Sequence, residues 1–155
     1  VPSSRMVLVK TVDEQGFVFY THKTSRKGKE LVENPLAALC FFWDLLDKQV
    51  RVEGAIEQVS DVQSDAYFNS RDLKSRLGAW ASQQSQPLPS NSVFIKEVAR
   101  YGLKFKNHPP RPEYWCGFRL VPSSIEFWSR GKFRLHKREL FTKIDNNWQQ
   151  QLLYP

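Results

Sequence analysis

Two β-strands joined by a short connection are predicted by residues 36–59, LAALCFFWDLLDKQVRVEGAIEQV. The first strand is the apolar, ring-rich run from Leu36 to Trp43, and the second is Gln49 to Val59, with Asp44 to Lys48 between them. Gly54 interrupts the second run, and a glycine inside a strand often marks a bulge at the corner of a barrel. This pair predicts an antiparallel β protein.

More strands are predicted on both sides of this pair. Upstream, the turn residues from Asp13 to Gly16 separate Met6 to Thr11 from Phe17 to Thr21, which is the pattern of a hairpin. Downstream, the strand-like runs are Cys116 to Val121, Ile125 to Ser129, Phe133 to Ile144 and Trp148 to Leu153.

Three helices interrupt the strands. Ser25 is placed to cap a short helix from Arg26 to Asn34, and the capping-box pattern from Ser60 to Gln63 starts a second helix. A third helix is predicted from Val93 to Phe105. Short strands with inserted helices favour a mainly β fold, a small antiparallel barrel, over an alternating βαβ fold.

Length and composition indicate a single domain over residues 1–155, with a hydrophobic fraction of 41% that excludes a disordered chain. The longest apolar run is far shorter than the roughly 20 residues of a membrane span, and no signal-peptide pattern opens the chain. We therefore expect a cytoplasmic protein that does not enter a membrane. The chain starts at Val1 in what reads as a turn feeding a strand, so we also expect a segment before it.

The formal net charge of +7 predicts an anionic partner or a merely well-solvated surface. Nucleic acid is not expected, because no recognised motif accompanies the charge. Cys40 and Cys116 show no metal-ligand spacing with the three histidines, so no metal site is expected. The sequence also lacks the patterns of common hydrolases and both common glycine-rich nucleotide loops.

Tyr67, Arg71 and Ser75 recur every fourth residue, so a continuous helix would present a phenol, a guanidinium and a hydroxyl along one face. A guanidinium forms forked, charge-assisted hydrogen bonds to phosphate, and the hydroxyls add donors. The pattern predicts a phosphate clamp, although by itself it is more typical of a solvated helix face with a half-buried Tyr.

Two further basic groups have the same two interpretations. Arg134, His136 and Arg138 would share one face of a strand, which could lie against an anionic or electron-rich ligand, while Leu135 would point into the barrel. Arg5, Lys10, Arg26 and Lys27 gather around the first hairpin and the start of its helix, where backbone N–H groups attract phosphate. Alone, either group could be ordinary surface charge.

Taken together and in order, these motifs closely resemble those of pyridoxamine 5′-phosphate oxidases. The upstream matches are Ser3 to Lys10, Tyr20-Thr21, Ser25 to Gly28, Asn34-Pro35, Phe42-Trp43 and Arg51 to Gly54. The downstream matches are Tyr67-Phe68, Ser70-Arg71, Gly78 to Ser82, Gln84-Ser85, Glu126 to Trp128, Arg134 to His136 and Arg138. The resemblance runs from residue 3 to the C-terminus.

The resemblance implies an FMN-binding split β-barrel, active as a homodimer with FMN at the subunit interface. It implies that FMN is held by Arg5, Met6, Val7, Leu8, Val9, Lys10, Tyr20, Thr21, Arg26, Lys27, Gln49, Gln84, Ser85, Trp128 and Arg138. It assigns the substrate to Lys10, Tyr67, Arg71, Ser75, Arg134, Leu135 and His136, with Arg134 and His136 as the catalytic pair. The implied reaction oxidises a phosphorylated B6 vitamer and passes the electrons to O2, giving peroxide.

The chain departs from the family pattern at several positions. Cys116, Ser129, Arg130 and Lys137 replace the usual Gly, Gln, Gly and Asp, and Asp72 replaces a usual Pro. The stretch from Pro110 to Cys116 resembles instead the flavin oxidases of phenazine biosynthesis. Two alternatives therefore stand beside the B6 oxidase: a phenazine-type FMN oxidase and a non-catalytic FMN-binding module.

Overall fold

Seven strands pair into one sheet in the computed structural model, which describes residues 2–106 and 108–155. The strand order is β1-β2-β5-β4-β3, and β6 pairs with both β5 and β7. The pairs β3/β4, β5/β6 and β6/β7 are antiparallel, as the sequence predicts.

The strands are β1 (Val9–Asp13), β2 (Gly16–His22), β3 (Leu36–Trp43), β4 (Lys48–Gln58), β5 (Trp115–Ser129), β6 (Lys137–Ile144) and β7 (Asn147–Leu153). The helices are α1 (Arg26–Glu33), α2 (Asp61–Ser70), α3 (Leu73–Ala81) and α4 (Asn91–Phe105). None of these helices has the length and apolar character that a membrane span requires. The two strands predicted between Cys116 and Ser129 are one continuous strand, β5.

The chain divides into two compact units. The first unit contains residues 2–10, 18–34 and 58–118 apart from residue 107, and the second contains residues 11–17, 35–57 and 119–155. All four helices belong to the first unit, whereas the hairpins β3/β4 and β6/β7 belong almost entirely to the second.

Two predicted caps start two of the four helices of the first unit. The Ser25 hydroxyl oxygen accepts the backbone N–H of Gly28 at 3.1 Å and starts α1. The Ser60 oxygen accepts the backbone N–H of Gln63 at 3.2 Å and starts α2. Each side chain satisfies an N–H group that the helix leaves without an internal partner, which places both helix starts where the sequence predicts them.

The prediction that one continuous helix runs through Tyr67, Arg71 and Ser75 is wrong. Helix α2 ends at Ser70, and Arg71 has the extended backbone angles φ −76° and ψ 151°. Asp72 then caps α3, since its Oδ1 accepts the backbone N–H of Ser75 at 2.8 Å. Because Asp72 caps a new helix, the chain is divided here into α2 and α3. Tyr67 lies on α2, Arg71 lies in the turn, and Ser75 lies on α3.

The strand predicted from Phe133 to Ile144 starts later than the sequence predicts. Residues Lys132–Arg134 form a 3-10 turn in which Phe133 and Arg134 have positive φ, 55° and 65°. Gly131 permits this turn, because a Cβ there would lie 1.7 Å from the Leu135 carbonyl oxygen. Strand β6 begins only at Lys137, so strand alternation does not place Arg134, His136 and Arg138 on one face.

Gly54 does not form the predicted bulge against β3. The register runs without interruption through Leu36↔Ala55, Ala37↔Gly54 and Ala38↔Glu53. A Cβ at Gly54 would instead lie 1.9 Å from the carbonyl oxygen of Val121. Glycine is needed at position 54 because the backbone of β4 lies very close there to the backbone of β5 at Val121.

We expect Gly54→Ala to lower the free energy of unfolding by about 1–3 kcal/mol, because the added methyl overlaps the Val121 carbonyl and a backbone must move. Gly78→Ala is the matched control: no atom lies within 4 Å of its added Cβ, and alanine favours helix α3 by roughly 0.5–1 kcal/mol. Chemical denaturation measures both. Equal stability of Gly54→Ala and the parent would contradict the close approach.

Candidate functional site

A cavity of about 410 Å³ lies within the first unit. Strand β2, the N-terminal segment, helices α2 and α3 and the start of β5 all contribute to its wall. Its lining includes many residues predicted to bind cofactor or substrate: Met6, Val7, Leu8, Lys10, Tyr20, Thr21, Lys27, Tyr67, Arg71, Ser75 and Gln84. The tertiary structure thus brings together motifs that are far apart in the sequence.

The cavity wall is strongly cationic. Lys10, Lys27 and Arg71 contribute three cations, and no Asp or Glu is among the lining residues that the structure describes. Burial, with a further contribution from Arg5, lowers the pKa of Lys27, and burial also lowers the pKa of Arg71. Removing cations from water is unfavourable without a compensating charge, so the site is suited to an anion.

A stack of aromatic rings forms one side of the cavity. The ring centroids of Tyr20 and Tyr67 are 4.1 Å apart, and those of Tyr20 and Trp115 are 5.1 Å apart with nearly parallel planes. The Arg71 guanidinium carbon lies 5.1 Å from the Trp115 centroid and 5.8 Å from that of Phe68. These cation–π contacts orient Arg71 without a hydrogen-bonding carboxylate.

Arg71 retains an unused donor. Its Nη1 is buried and has no hydrogen-bond partner among the described residues. A buried donor without an acceptor is costly, and a phosphate oxygen would satisfy it. Another predicted phosphate ligand, Ser75 in the first turn of α3, donates its hydroxyl to Oδ2 of Asp72 at 2.6 Å.

Other predicted cofactor residues of the first unit lie outside the cavity lining. The guanidinium groups of Arg5 and Arg26 both contact Glu30, each at 2.8 Å. Hydrogen bonds from Ser3, Arg26 and Arg5 lower the pKa of Glu30 to about 2. Ser85 lies in the loop after α3 with a left-handed φ of 73°.

Lys27 and Gln84 come together with Thr21 in a polar cluster. The Thr21 hydroxyl donates to Gln84 Oε1 at 2.9 Å, and the Lys27 ammonium donates to the Thr21 oxygen and, at 3.3 Å, to Gln84 Oε1. Three predicted cofactor-binding side chains from β2, α1 and the loop after α3 are therefore already organised as a group.

The second unit contains the remaining predicted residues. His136 packs against Trp128 with ring centroids 4.7 Å apart, and its Nδ1 accepts the backbone N–H of Gly131 at 3.3 Å. A neutral His136 consequently carries its proton on Nε2. Leu135 is 70% exposed, so the expectation that it points into the barrel is wrong for this chain.

Arg138 and Gln49 lie on strands of the second unit. Arg138 is opposite Trp128 in the β5/β6 register, and its guanidinium makes a forked pair with Glu126 at 2.8 and 3.2 Å. That contact lowers the pKa of the buried Glu126 carboxyl. Gln49 is opposite Phe42 in the β3/β4 register.

The residues that depart from the family pattern have partners of their own. Arg130 pairs with Asp47 at 3.1 Å, and Lys137 pairs with Glu139 at 2.9 Å. The Cys116 thiol is buried, which raises its pKa to about 11 and makes it a poor nucleophile.

Sequence reasoning did not assign six residues of the cavity wall to the site: His22, Gly78, Ala79, Ser82, Phe94 and Trp115. Strand alternation from Tyr20 could have indicated His22, since residues two apart share a face of β2. No local pattern indicated Trp115, whose position depends on Arg111. The Arg111 guanidinium donates to the Trp115 carbonyl at 2.7 Å and pairs with Asp61 and Asp65 of α2.

Comparison with known proteins places the chain in a family. Residues 1–105 match the model of the pyridoxamine 5′-phosphate oxidase family. The chain belongs to this family. Residues 115–155 match the pyridoxine 5′-phosphate oxidase C-terminal dimerisation region. As a member of the pyridoxamine 5′-phosphate oxidase family, the chain is a flavin-dependent oxidoreductase.

Curated relatives are similar over nearly the whole chain. The pyridoxine/pyridoxamine 5′-phosphate oxidase of Zymomonas mobilis subsp. mobilis is 52% identical over 155 residues, which cover 99% of this chain and 81% of the relative. The protein of the same name from Brucella anthropi is 53% identical over 158 residues, covering 100% and 78%. Both proteins carry the name of the predicted enzyme.

Two solved structures confirm the predicted fold class, an antiparallel split barrel with inserted helices. PhzG from Burkholderia lata 383, in complex with tetrahydrophenazine-1-carboxylic acid, has a TM-score of 0.92 and 31% identity, covering 99% of this chain and 75% of that one. An FMN-binding protein from Nostoc punctiforme has a TM-score of 0.76 at 18% identity, covering 99% and 81%, and is similar in fold alone.

The titration of His22 should lower the free energy of unfolding as the solution becomes acidic. Burial, then Lys27 and Arg71, lowers its pKa from 6.5 to about 4. The unfolded chain takes up this proton as the pH falls through about 6.5, whereas the folded protein does so only near pH 4. The stabilising effect of a neutral, buried His22 is therefore complete above this window and is lost as the pH falls from 6.5 towards 4.

We expect His22→Asn to lose less stability than the parent between pH 7 and pH 5, because asparagine does not titrate. Denaturant unfolding in phosphate-free buffer measures the difference, and the exposed His108→Asn serves as the matched control. Parallel pH dependences of the parent and His22→Asn would show that His22 does not contribute to acid sensitivity.

Proposed function

We propose that the chain is an FMN-dependent oxidase that converts pyridoxamine or pyridoxine 5′-phosphate to pyridoxal 5′-phosphate, with O2 as the electron acceptor and peroxide as the product. The observation that supports this most is the cavity of the first unit. It combines three cations, several hydroxyl groups and the unpaired donor of Arg71 with no carboxylate among its described lining residues. These are the groups that a phosphate ester requires.

In this proposal the substrate phosphate lies among Lys10, Tyr67, Arg71 and Ser75. The Arg71 guanidinium supplies the directional contact, because its plane is already set by the rings of Trp115 and Phe68. The Lys10 ammonium, 5.9 Å from the Tyr67 ring centroid, adds charge. Little side-chain freedom is lost when such a site binds its ligand.

The residues present also fit a flavin mononucleotide. The cluster of Thr21, Lys27 and Gln84 offers hydroxyl, ammonium and amide groups in the same cavity, and burial lowers the pKa of its cation. We assign FMN to this cluster and to the other residues that the family resemblance implies. A flavin held there would supply the two-electron acceptor for a hydride from the C4′ carbon of the substrate, and O2 would take up the electrons.

Arg134 and His136 are the proposed catalytic residues. The Gly131 N–H fixes the His136 tautomer, so that Nε2 of the neutral ring is a donor, and Trp128 supports the ring. Arg134 holds a left-handed backbone conformation that a non-glycine residue seldom adopts. Both features are consistent with side chains that orient the vitamer ring for hydride transfer.

We also propose that the protein is a homodimer with FMN at the subunit interface. The match of residues 115–155 to a dimerisation region supports this. Exposed apolar side chains agree with it, since Phe133, Leu152 and Tyr154 are 92%, 73% and 93% exposed in the single chain.

A phenazine-type oxidase is the second candidate, supported by the similarity to PhzG at 31% identity. The residues that carry the resemblance have structural contacts here: Arg111 ties the loop to α2, and Cys116 is buried. The cationic cavity agrees better with a phosphorylated substrate. A non-catalytic FMN-binding module is distinguished by the absence of O2 consumption with pyridoxine 5′-phosphate.

Arg71→Ala should raise the KM for pyridoxine 5′-phosphate about ten- to a hundredfold, since a charge-assisted hydrogen bond is worth about 1.5–3 kcal/mol. The spectrum and affinity of bound FMN should change little. Steady-state kinetics and flavin titration measure the two effects. Arg100→Ala is the control, because Arg100 pairs with Glu97 at 2.6 Å and does not line the cavity. An unchanged KM in Arg71→Ala would overturn the phosphate site.

Arg134→Ala should slow flavin reduction by pyridoxine 5′-phosphate about 100-fold, because a displacement of about 1 Å in the hydride donor costs that much in rate. Anaerobic stopped-flow absorbance isolates this step from the reaction with O2. Arg130→Ala, in the same connection between β5 and β6 but paired with Asp47, is the matched control. Equal rates in Arg134→Ala and the parent would remove Arg134 from the mechanism, and no reduction in the parent would favour the other two candidates.

A further inference from the structure

The turn between α2 and α3 contains a contact that opposes phosphate binding. Asp72 uses both of its carboxylate oxygens on one neighbour, Ser75. Oδ1 accepts the backbone N–H at 2.8 Å, and Oδ2 accepts the side-chain hydroxyl at 2.6 Å. The first contact caps α3, and the second is not needed for capping.

The second contact occupies the only proton that the Ser75 hydroxyl can donate. Ser75 lines the cavity, so its oxygen can offer only lone pairs there while it donates to Asp72. The oxygens of a phosphate dianion are acceptors and need donors. Asp72 and a phosphate therefore compete for the same proton.

Asp72 also acts on the cation of this turn. Its charge and that of Arg71 attract each other: the carboxylate opposes the lowering of the Arg71 pKa by burial, and Arg71 helps to lower the pKa of Asp72. Asp72 is exposed, so salt screens this attraction, whereas the short hydrogen bond to Ser75 depends on geometry. The hydroxyl contact is the more specific of the two effects.

We propose that Asp72 is a positioning residue that holds the Ser75 hydroxyl away from the substrate phosphate and so keeps phosphate affinity below what the cavity's donors permit. The inference rests on the proposed function, in which Arg71 binds the substrate phosphate and Ser75 lies beside it in the cavity wall. The usual family residue at this position, proline, has no side-chain acceptor and cannot make the contact.

Asp72→Asn separates capping from competition. The amide oxygen can still accept the Ser75 backbone N–H, while the amide NH2 can donate to the Ser75 oxygen and release its proton towards the cavity. In the FMN-loaded protein we expect the KM for pyridoxine 5′-phosphate to fall about three- to tenfold, with a smaller change in kcat. The KM for unphosphorylated pyridoxine should not fall.

A double-mutant cycle with Ser75→Ala tests whether the effect passes through the hydroxyl. Ser75→Ala should change the KM less than about twofold in the parent, where Asp72 already holds the proton, but raise it about three- to tenfold in Asp72→Asn. Equal effects of Ser75→Ala in the two backgrounds would overturn the proposal, as would an unchanged or higher KM in Asp72→Asn.

Two controls complete the experiment. Asp145→Asn makes the same change in net charge in the turn between β6 and β7, outside the cavity lining, and should leave the KM unchanged. Arg71→Ala reports on the proposed phosphate site by itself. If Arg71→Ala raises the KM but the cycle is additive, only the role of Asp72 is wrong; if Arg71→Ala has no effect, the phosphate site itself is wrong.

Discussion

The first unit depends on the packing of the Trp115 side chain against its neighbours. This side chain is 4% exposed, stacks on Tyr20 and packs edge-on against Phe68 with ring centroids 5.1 Å apart. Its face also supports the Arg71 guanidinium. One ring thereby joins strand β2, helix α2 and the turn that follows it, so core packing and the geometry of the candidate phosphate site are parts of a single arrangement.

Trp115 is held through its backbone as well. Arg111 donates to its carbonyl oxygen and pairs with two carboxylates of α2. A guanidinium that is only 10% exposed needs such partners, because an unpaired buried charge is costly. The motif around Arg111, which resembles another branch of flavin oxidases, thus stabilises the wall of the cavity and does not need a ligand to explain it.

Two groups of cations differ in how their charge is satisfied. Arg111, Arg130 and Arg138 are satisfied by carboxylates and hold loops and strands in place. Lys27 and Arg71 are half-buried beside a cavity that has no carboxylate among its described lining residues, and burial lowers the pKa of each. A bound phosphate would replace lost hydration for the second group, which is the physical reason to place the ligand there. Membership in the pyridoxamine 5′-phosphate oxidase family agrees with this assignment.

The sequence by itself determined the features that depend on near neighbours: the caps Ser25 and Ser60, the antiparallel pair β3/β4, the family and most members of the candidate site. Repeating side-chain types and capping oxygens are local, so they can be read without coordinates. Only the tertiary structure decided how Arg71 and Ser75 meet across a helix break, why Leu135 is exposed, and that Gly54 serves close approach to Val121. Each of these depends on atoms distant in sequence or on a turn of positive φ, where packing and sterics override the periodicity of the chain.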